Sequence, residues 1–206
     1  MTPAPAEWPS LLDWKRRIFA LYARIRSAED PVGAWADFRR TRDEMFATHP
    51  QSPVPAANRE LFRLIYFDYD PAARVLGEIA PAEPAHFDIA TSGDGTYGFT
   101  RVATAAFELA GSECTLDLYW LDGYGGGLFV PFRDATAGRD TYGAGRYLFD
   151  TIKGADLGMD GGRIVLDFNF AFNPSCAYDP RWVCPLAPPP NRLDIAIAAG
   201  ERYSSS

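Results

Sequence analysis

Residues 114–121 read "CTLDLYWL", and the way their side chains alternate decides the architecture. Leu116, Leu118 and Trp120 fall on one side, with Thr115, Asp117 and Tyr119 on the other, which is the period of a strand rather than a helix. Downstream, "LFVPFR" (128–133) puts Phe129 and Arg133 on one face and Leu128, Val130 and Phe132 on the opposite one. Pro131 within it cannot donate to a ladder and predicts an edge or a bulge. From Arg74 onward the period stays at two and Gly or Pro clusters break the chain at short intervals, the pattern of antiparallel strands joined by turns.

Upstream of Arg74 the period is helical. Ser10 with Asp13 reads as a capping box, and Leu11, Trp14, Ile18, Leu21, Tyr22 and Ile25 then recur at helical spacing, predicting an amphipathic helix over 11–27. Asp30-Pro31 predicts a second helix start, followed by the looser apolar stripe Trp35, Phe38, Met45 and Phe46 and ending near His49-Pro50. A short third helix is expected over Ala56–Phe62. The fold class read from these patterns is α+β, with N-terminal helices packed on a mainly antiparallel β-barrel or β-sandwich. One domain is expected over 1–206, helical in 11–66 and β-rich in 74–201. The Pro/Ala-rich stretches at 80–85 and 185–190 read as rigid connections, and Arg202 with Ser204–Ser206 as a frayed tail.

The chain has 206 residues, 47% of them hydrophobic and 14% aromatic, enough for one full core. Its net charge of -7 argues against nucleic acid or an anionic membrane surface as partner. Lys15 and Lys153 are the only lysines, against 20 basic residues in all, so fixed arginine pairing is favoured over amine chemistry. The start of the chain lacks the basic-then-apolar order of a signal peptide and no window suits a membrane helix; a cytoplasmic location is expected.

The stretch "RIVLDFNFAFNP" (163–174) alternates Ile164, Leu166, Phe168, Phe170 and Phe172 against Val165, Asp167, Asn169, Ala171 and Asn173. The first set reads as core. Asp and Asn are depleted from strand interiors, so the second set is either a solvated face or a polar cavity. A carboxylate facing a low-dielectric interior needs a cation or donors. Arg133 ends one predicted strand and Arg146 begins another, with Asp134 and Tyr142 in the loop between. A hairpin brings these four to one rim, which suits an oxygen-rich or anionic small molecule if that rim lies over Asp167, Asn169 and Asn173. The alternative is that Arg133–Asp134 and Arg146–Asp167 are structural ion pairs. Gly125-Gly126-Gly127 and Gly143-Ala144-Gly145 lack the continuation of a phosphate loop, and tight turns or close backbone approach explain them better.

"NPSCAYDPRWVCPLAPPPNRL" (173–193) carries Cys176 and Cys184 among prolines and reads as an irregular packed excursion. No zinc-like spacing is present, and His49 and His86 lie far upstream. Buried structural thiols are favoured over a disulfide or a catalytic thiol, and His86 reads as structural.

Taken together, "YWLDGYGGGLFVPFRDATAGRDTYGAGRYLFD" (119–150), "GGRIVLDFNFAFNPSCAYDPRWVCPLAPPPNRLDIAIAAGE" (161–201), "HPQSPVP" (49–55) and "LFRLIYFDYDP" (61–71) strongly resemble a prokaryotic family catalogued as domain of unknown function 1684. The resemblance implies one compact domain whose signature is gathered in 119–192. It matches Arg133, Asp134, Tyr142, Arg146, Asp167, Asn169, Asn173, Cys176, Tyr178, Cys184 and Asn191, and brings no established activity.

The favoured expectation is a small-molecule-binding protein in which Arg133 and Arg146 clamp an anion while Asp167, Asn169 and Asn173 orient polar groups. The alternatives are an enzyme of hydrolase or proton-transfer type, with Asp134 or Asp167 as base and Tyr142 or Tyr178 as acid, and a structural or interaction module without a pocket. A small-molecule ligand is the expected partner, with no nucleic acid, membrane, metal or cofactor, and a homodimer is left open.

Overall fold

The computed structural model describes residues 7–203; the serines expected to form a tail lie outside them. Helix α1 (Trp8–Ser27) begins earlier than its capping box predicts, with Pro9 in the first turn and the Ser10 hydroxyl donating to the Glu7 carbonyl at 2.8 Å. Helix α2 (Pro31–Thr48) starts as its sequence dictates: Asp30 accepts the Val32 N–H at 3.0 Å and proline occupies the first helical position. The pair forms an antiparallel hairpin, tied by Arg24–Asp37 at 2.8 Å and Arg17–Glu44 at 3.6 Å. The expected third helix is a single 3-10 turn at Ala56–Asn58. Beyond it the Arg59 side chain donates back to the carbonyls of Val54 and His49, which holds this stretch as a loop.

Seven strands follow: β1 (Arg74–Ala90), β2 (Thr96–Leu109), β3 (Ser112–Leu121), β4 (Leu128–Phe132), β5 (Arg146–Asp150), β6 (Met159–Asp160) and β7 (Arg163–Asp167). They pair antiparallel in the order β5-β4-β3-β2-β1-β7-β6. The sheet is open, with β5 and β6 at its ends, so the barrel alternative does not hold. The helices nevertheless pack on the sheet as an α+β arrangement requires. Ile18, Leu21, Tyr22, Phe38 and Met45 share one core with Ala105, Leu116, Leu118, Val130, Leu148, Ile164, Leu166 and Phe168. A smaller cluster of Ile89, Phe99, Tyr119, Phe129 and Tyr147 forms separately.

In β3 the alternation of 116–119 serves two buried faces: Leu116 and Leu118 join the main core, and Tyr119 joins the smaller cluster. Trp120 is 47% exposed. It packs against the glycine run, where a Cβ on Gly126 would stand 2.2 Å from its indole nitrogen. That close approach, not a phosphate, accounts for the glycine. The register shifts between Val130 and Pro131, where the proline interrupts the ladder.

Two expectations are corrected. The segment 80–85 is not a connection but lies inside β1, where the register with β2 shifts between Pro81 and Ala85. The stretch 163–174 is not one strand: β7 stops at Asp167 and a 3-10 turn, Phe168–Phe170, follows. Asp167 caps that turn by accepting the Asn169 N–H at 3.0 Å, the local bond that makes Asp a turn residue.

Candidate functional site

The residues singled out in the sequence divide among four places. At the first, the β4–β5 hairpin carries the loop 133–145 as expected. Arg146, at its far end, is 1% exposed. Its guanidinium donates to Asp134 Oδ2 at 2.8 Å, to the carbonyls of Ile197 and Glu201 at 3.1 and 3.2 Å, and to the carbonyl of Ala199. Asp134 is engaged in turn by the N–H and hydroxyl of Thr136. This is a buried pair that clasps the C-terminal segment, and Asp167 is not its partner. Arg133 takes part through its backbone, donating to Asn191 at 2.9 Å and accepting from Leu193 at 2.8 Å.

At the second place, Asp167 faces Arg74 Nε at 3.8 Å and accepts the Asn169 side-chain amide at 2.9 Å. Burial pushes its carboxyl up to about 6, against the donors of Asn169 and the charge of Arg74. Asn169, 0% exposed, exchanges hydrogen bonds with the backbone of Asp70 at 2.7 and 2.9 Å. At the third, Tyr142 donates to Cys176 Sγ at 3.7 Å.

The fourth place has an opening. Asn173 and Tyr178 converge on Glu201: the Asn173 N–H and side-chain amide reach it at 3.1 and 3.2 Å, and the Tyr178 hydroxyl donates to it. Arg42 closes the group with a 2.7 Å ion pair to Glu201, while its Nε donates to Tyr66 at 3.2 Å. The Arg42 guanidinium also lies over the rings of Phe38, Phe46 and Phe172 at 4.9–5.4 Å. Burial raises the Glu201 carboxyl, and Arg42 is the main influence opposing that rise.

Beside this group is a cleft with a cavity of about 70 Å³. α1 contributes Trp14, Ile18, Leu21 and Tyr22 to its wall, α2 contributes Arg42 and Phe46, and β5 contributes Tyr147 and Asp150. Lys153, 60% exposed, pairs with Asp150 at 2.8 Å. Two residues of its lining, Tyr22 and Asn173, hold a buried polar atom, Oη and Oδ1, with no hydrogen-bond partner in the protein. Burial raises the Tyr22 phenol, so it stands there as a proton donor. A larger surface cleft of about 200 Å³ lies between α2 and residues 59–64. Its guanidinia are already engaged, Arg59 with Val54 and His49 and Arg63 with Glu60 and Phe62.

A family model described as a protein of unknown function, DUF1684, matches residues 60–202. The chain belongs to the DUF1684 family. Among solved structures it resembles an uncharacterized protein of Haloarcula marismortui determined by solution NMR. That match has 41% identity and a TM-score of 0.58, and covers 80% of this chain and 89% of the other. No curated protein matches. The DUF1684 match contains Asn173, Tyr178 and Glu201 but begins after α1 and α2, which supply Tyr22 and Arg42.

Sequence reasoning named Asn173 and Tyr178 and missed Tyr22, Arg42, Asp150, Lys153 and Glu201 as site residues. Arg42 left a signal: it stands four residues after Phe38 and four before Phe46, on the apolar stripe of α2, where a charge needs a partner. Among the described residues no group of His, Cys, Asp and Glu is arranged to hold a metal, and no helix is long and apolar enough to cross a membrane.

Proposed function

We propose that the protein binds a small polar molecule in the cleft between α1, α2 and residues 172–178. The observation that carries this reading is that two residues of its lining, Tyr22 and Asn173, each hold a buried polar atom, Oη and Oδ1, without a partner in the protein. A buried polar atom left unsatisfied costs about 1–3 kcal/mol, and a bound molecule that meets both recovers that cost. Tyr22 asks for an acceptor and Asn173 Oδ1 for a donor. The ion pairs Arg42–Glu201 and Lys153–Asp150 balance the charge around them, so a hydroxyl or amide group fits better than a strongly anionic one. The cavity of about 70 Å³ has room for roughly two or three water-sized groups, which fits a very small molecule or the end of a longer one.

The test is a thermal-shift screen of small hydroxy acids, amides and polyols on the wild-type chain and on Tyr22→Phe. A binder raises Tm by mass action. Tyr22→Phe keeps the ring and removes the donor, so it is expected to fold, with unliganded stability equal to or above wild type, and to lose most of the ligand-induced shift. A screen with no hits, or an equal shift in both proteins, overturns the reading.

A further inference from the structure

The face of α2 that meets residues 59–69 carries Trp35, Arg39 and Asp43 on successive turns, four residues apart and therefore in one stripe. Each holds a buried polar atom with no hydrogen-bond partner in the protein: Trp35 Nε1, Arg39 Nε and Asp43 Oδ1. Arg39 and Asp43 have the spacing of a helical ion pair, yet neither is ion-paired to the other or to any other described residue. The guanidinium lies instead over the rings of Trp35 and Tyr66, at 4.5 and 5.2 Å. Burial raises the Asp43 carboxyl, and Arg39 is the main charge opposing that rise.

Asp43 is also part of the wall of the cleft of about 200 Å³. Phe46 and Phe62, stacked with ring centroids 6.4 Å apart, and Leu64 form its apolar side. Arg59 and Arg63 in this wall donate to backbone carbonyls, so the charges of this face that the chain leaves unmatched are Asp43 and, one turn before it, Arg39. We propose that this second cleft binds an α-amino acid with an apolar side chain, its ammonium on Asp43, its carboxylate on Arg39 and its side chain among Phe46, Phe62 and Leu64.

The charge pattern selects a zwitterion. A simple anion on Arg39 would stand one turn, about 6 Å along the axis, from Asp43, and a simple cation on Asp43 would stand as close to Arg39. A molecule with both charges on one carbon meets each with its opposite, and charge-assisted hydrogen bonds are the strong ones. The Trp35 and Tyr66 rings hold the guanidinium plane, so little of its freedom is lost on binding. The Trp35 N–H is a further donor without an acceptor beside it. A volume of about 200 Å³ takes roughly six or seven water-sized groups, the size of a leucine or phenylalanine side chain. Phe46 borders both clefts, whereas Tyr22 and Asn173 line only the other one, so the two sites can be tested apart.

The experiment is calorimetric titration of the full chain with L-leucine, N-acetyl-L-leucine, L-leucinamide and glycine. L-Leucine is expected to bind. The two blocked forms, which lack the ammonium or the carboxylate, should each bind at least about tenfold more weakly, and glycine should lose a similar factor with its side chain. Asp43→Asn and Arg39→Gln should each weaken leucine by the same order, with urea unfolding run alongside to show that both variants fold. Ala47→Trp, at an exposed position of the cleft wall, fills the space without touching either charge and should abolish binding. Tyr22→Phe, altered in the other cleft, should bind leucine as wild type does. No binding of leucine to the wild type, equal binding of either blocked form, binding that survives Ala47→Trp, or a loss in Tyr22→Phe overturns the proposal.

Discussion

Asp167 sits where β7 ends, with its carboxyl buried and its ionised form met only in part by Asn169 and by Arg74 at 3.8 Å. The consequence is a pH dependence of known sign. The folded-state value, about 6 against an ordinary 3.8, means that the folded chain holds this proton more tightly than the unfolded one. The contribution is therefore fully present below about pH 4 and is lost as pH rises through about 6. A displacement of this size is worth about 3 kcal/mol. Asp167→Asn keeps an oxygen to accept from Asn169 and removes the charge. Urea unfolding should show the variant more stable than wild type at pH 7, with the gap closing towards pH 4. A gap that does not vary with pH would sink the assignment. Arg42 teaches a related lesson at this scale: its position on the stripe of α2 was readable, but its partner Glu201 stands 159 residues away, and no local pattern links the two.

Among the elements, the β4–β5 hairpin owes its loop geometry to the C-terminal segment as much as to its own ladder. Arg146 reaches three carbonyls of 197–201 as well as Asp134. That segment in turn lies so close to residues 168–171 that a Cβ on Gly200, at φ +77°, would stand 2.5 Å from the Phe168 carbonyl. Arg146→Ala should thus act on stability throughout the segment: removing one partner of a buried pair costs about 3–5 kcal/mol. Chemical denaturation is the check, and a loss under about 1 kcal/mol would mean that the clasp is incidental. Period-two and helical spacing sufficed to recover the two helices, the hairpin and the bulge at Pro131. They misread 163–174 because a capped 3-10 turn buries Phe168, Asn169 and Phe170 alike, so the facing alternation of a strand stops at Asp167. Asp and Asn in that stretch were the signal for a turn, and the strand-like phenylalanines around them masked it.

At the scale of the molecule, the helical hairpin and the end of the chain complete each other. Glu201 is held by Arg42 of α2 and by Asn173 and Tyr178 of the segment following β7. Arg202, expected to be frayed, donates its N–H to Ile65 at 2.8 Å and lies over the Phe67 ring at 5.1 Å. A chain beginning at residue 60, where the family match begins, would take Phe38 off the Phe170 ring and leave Glu201 without its guanidinium. Such a truncation is expected to lose cooperative unfolding and to bind a hydrophobic dye; a sharp thermal transition would show that the sheet stands without its helices. The cleft is assembled from parts on either side of that boundary, so its composition could not be inferred from either part alone.

An open sheet leaves its flanks available to other chains, and here each flank is guarded. β5 is covered where Tyr147 exchanges backbone hydrogen bonds with Phe172, and β6 is only two residues long. The long exposed run of β1 beyond Gly77, where β7 stops pairing, carries Pro81, Glu83 and Pro84 around its register shift. Prolines and a charge on a bulged flank give an incoming strand no continuous row of donors to zip against. The stretch that read as a rigid connection in the sequence is thus the part of this flank least suited to pairing with another strand.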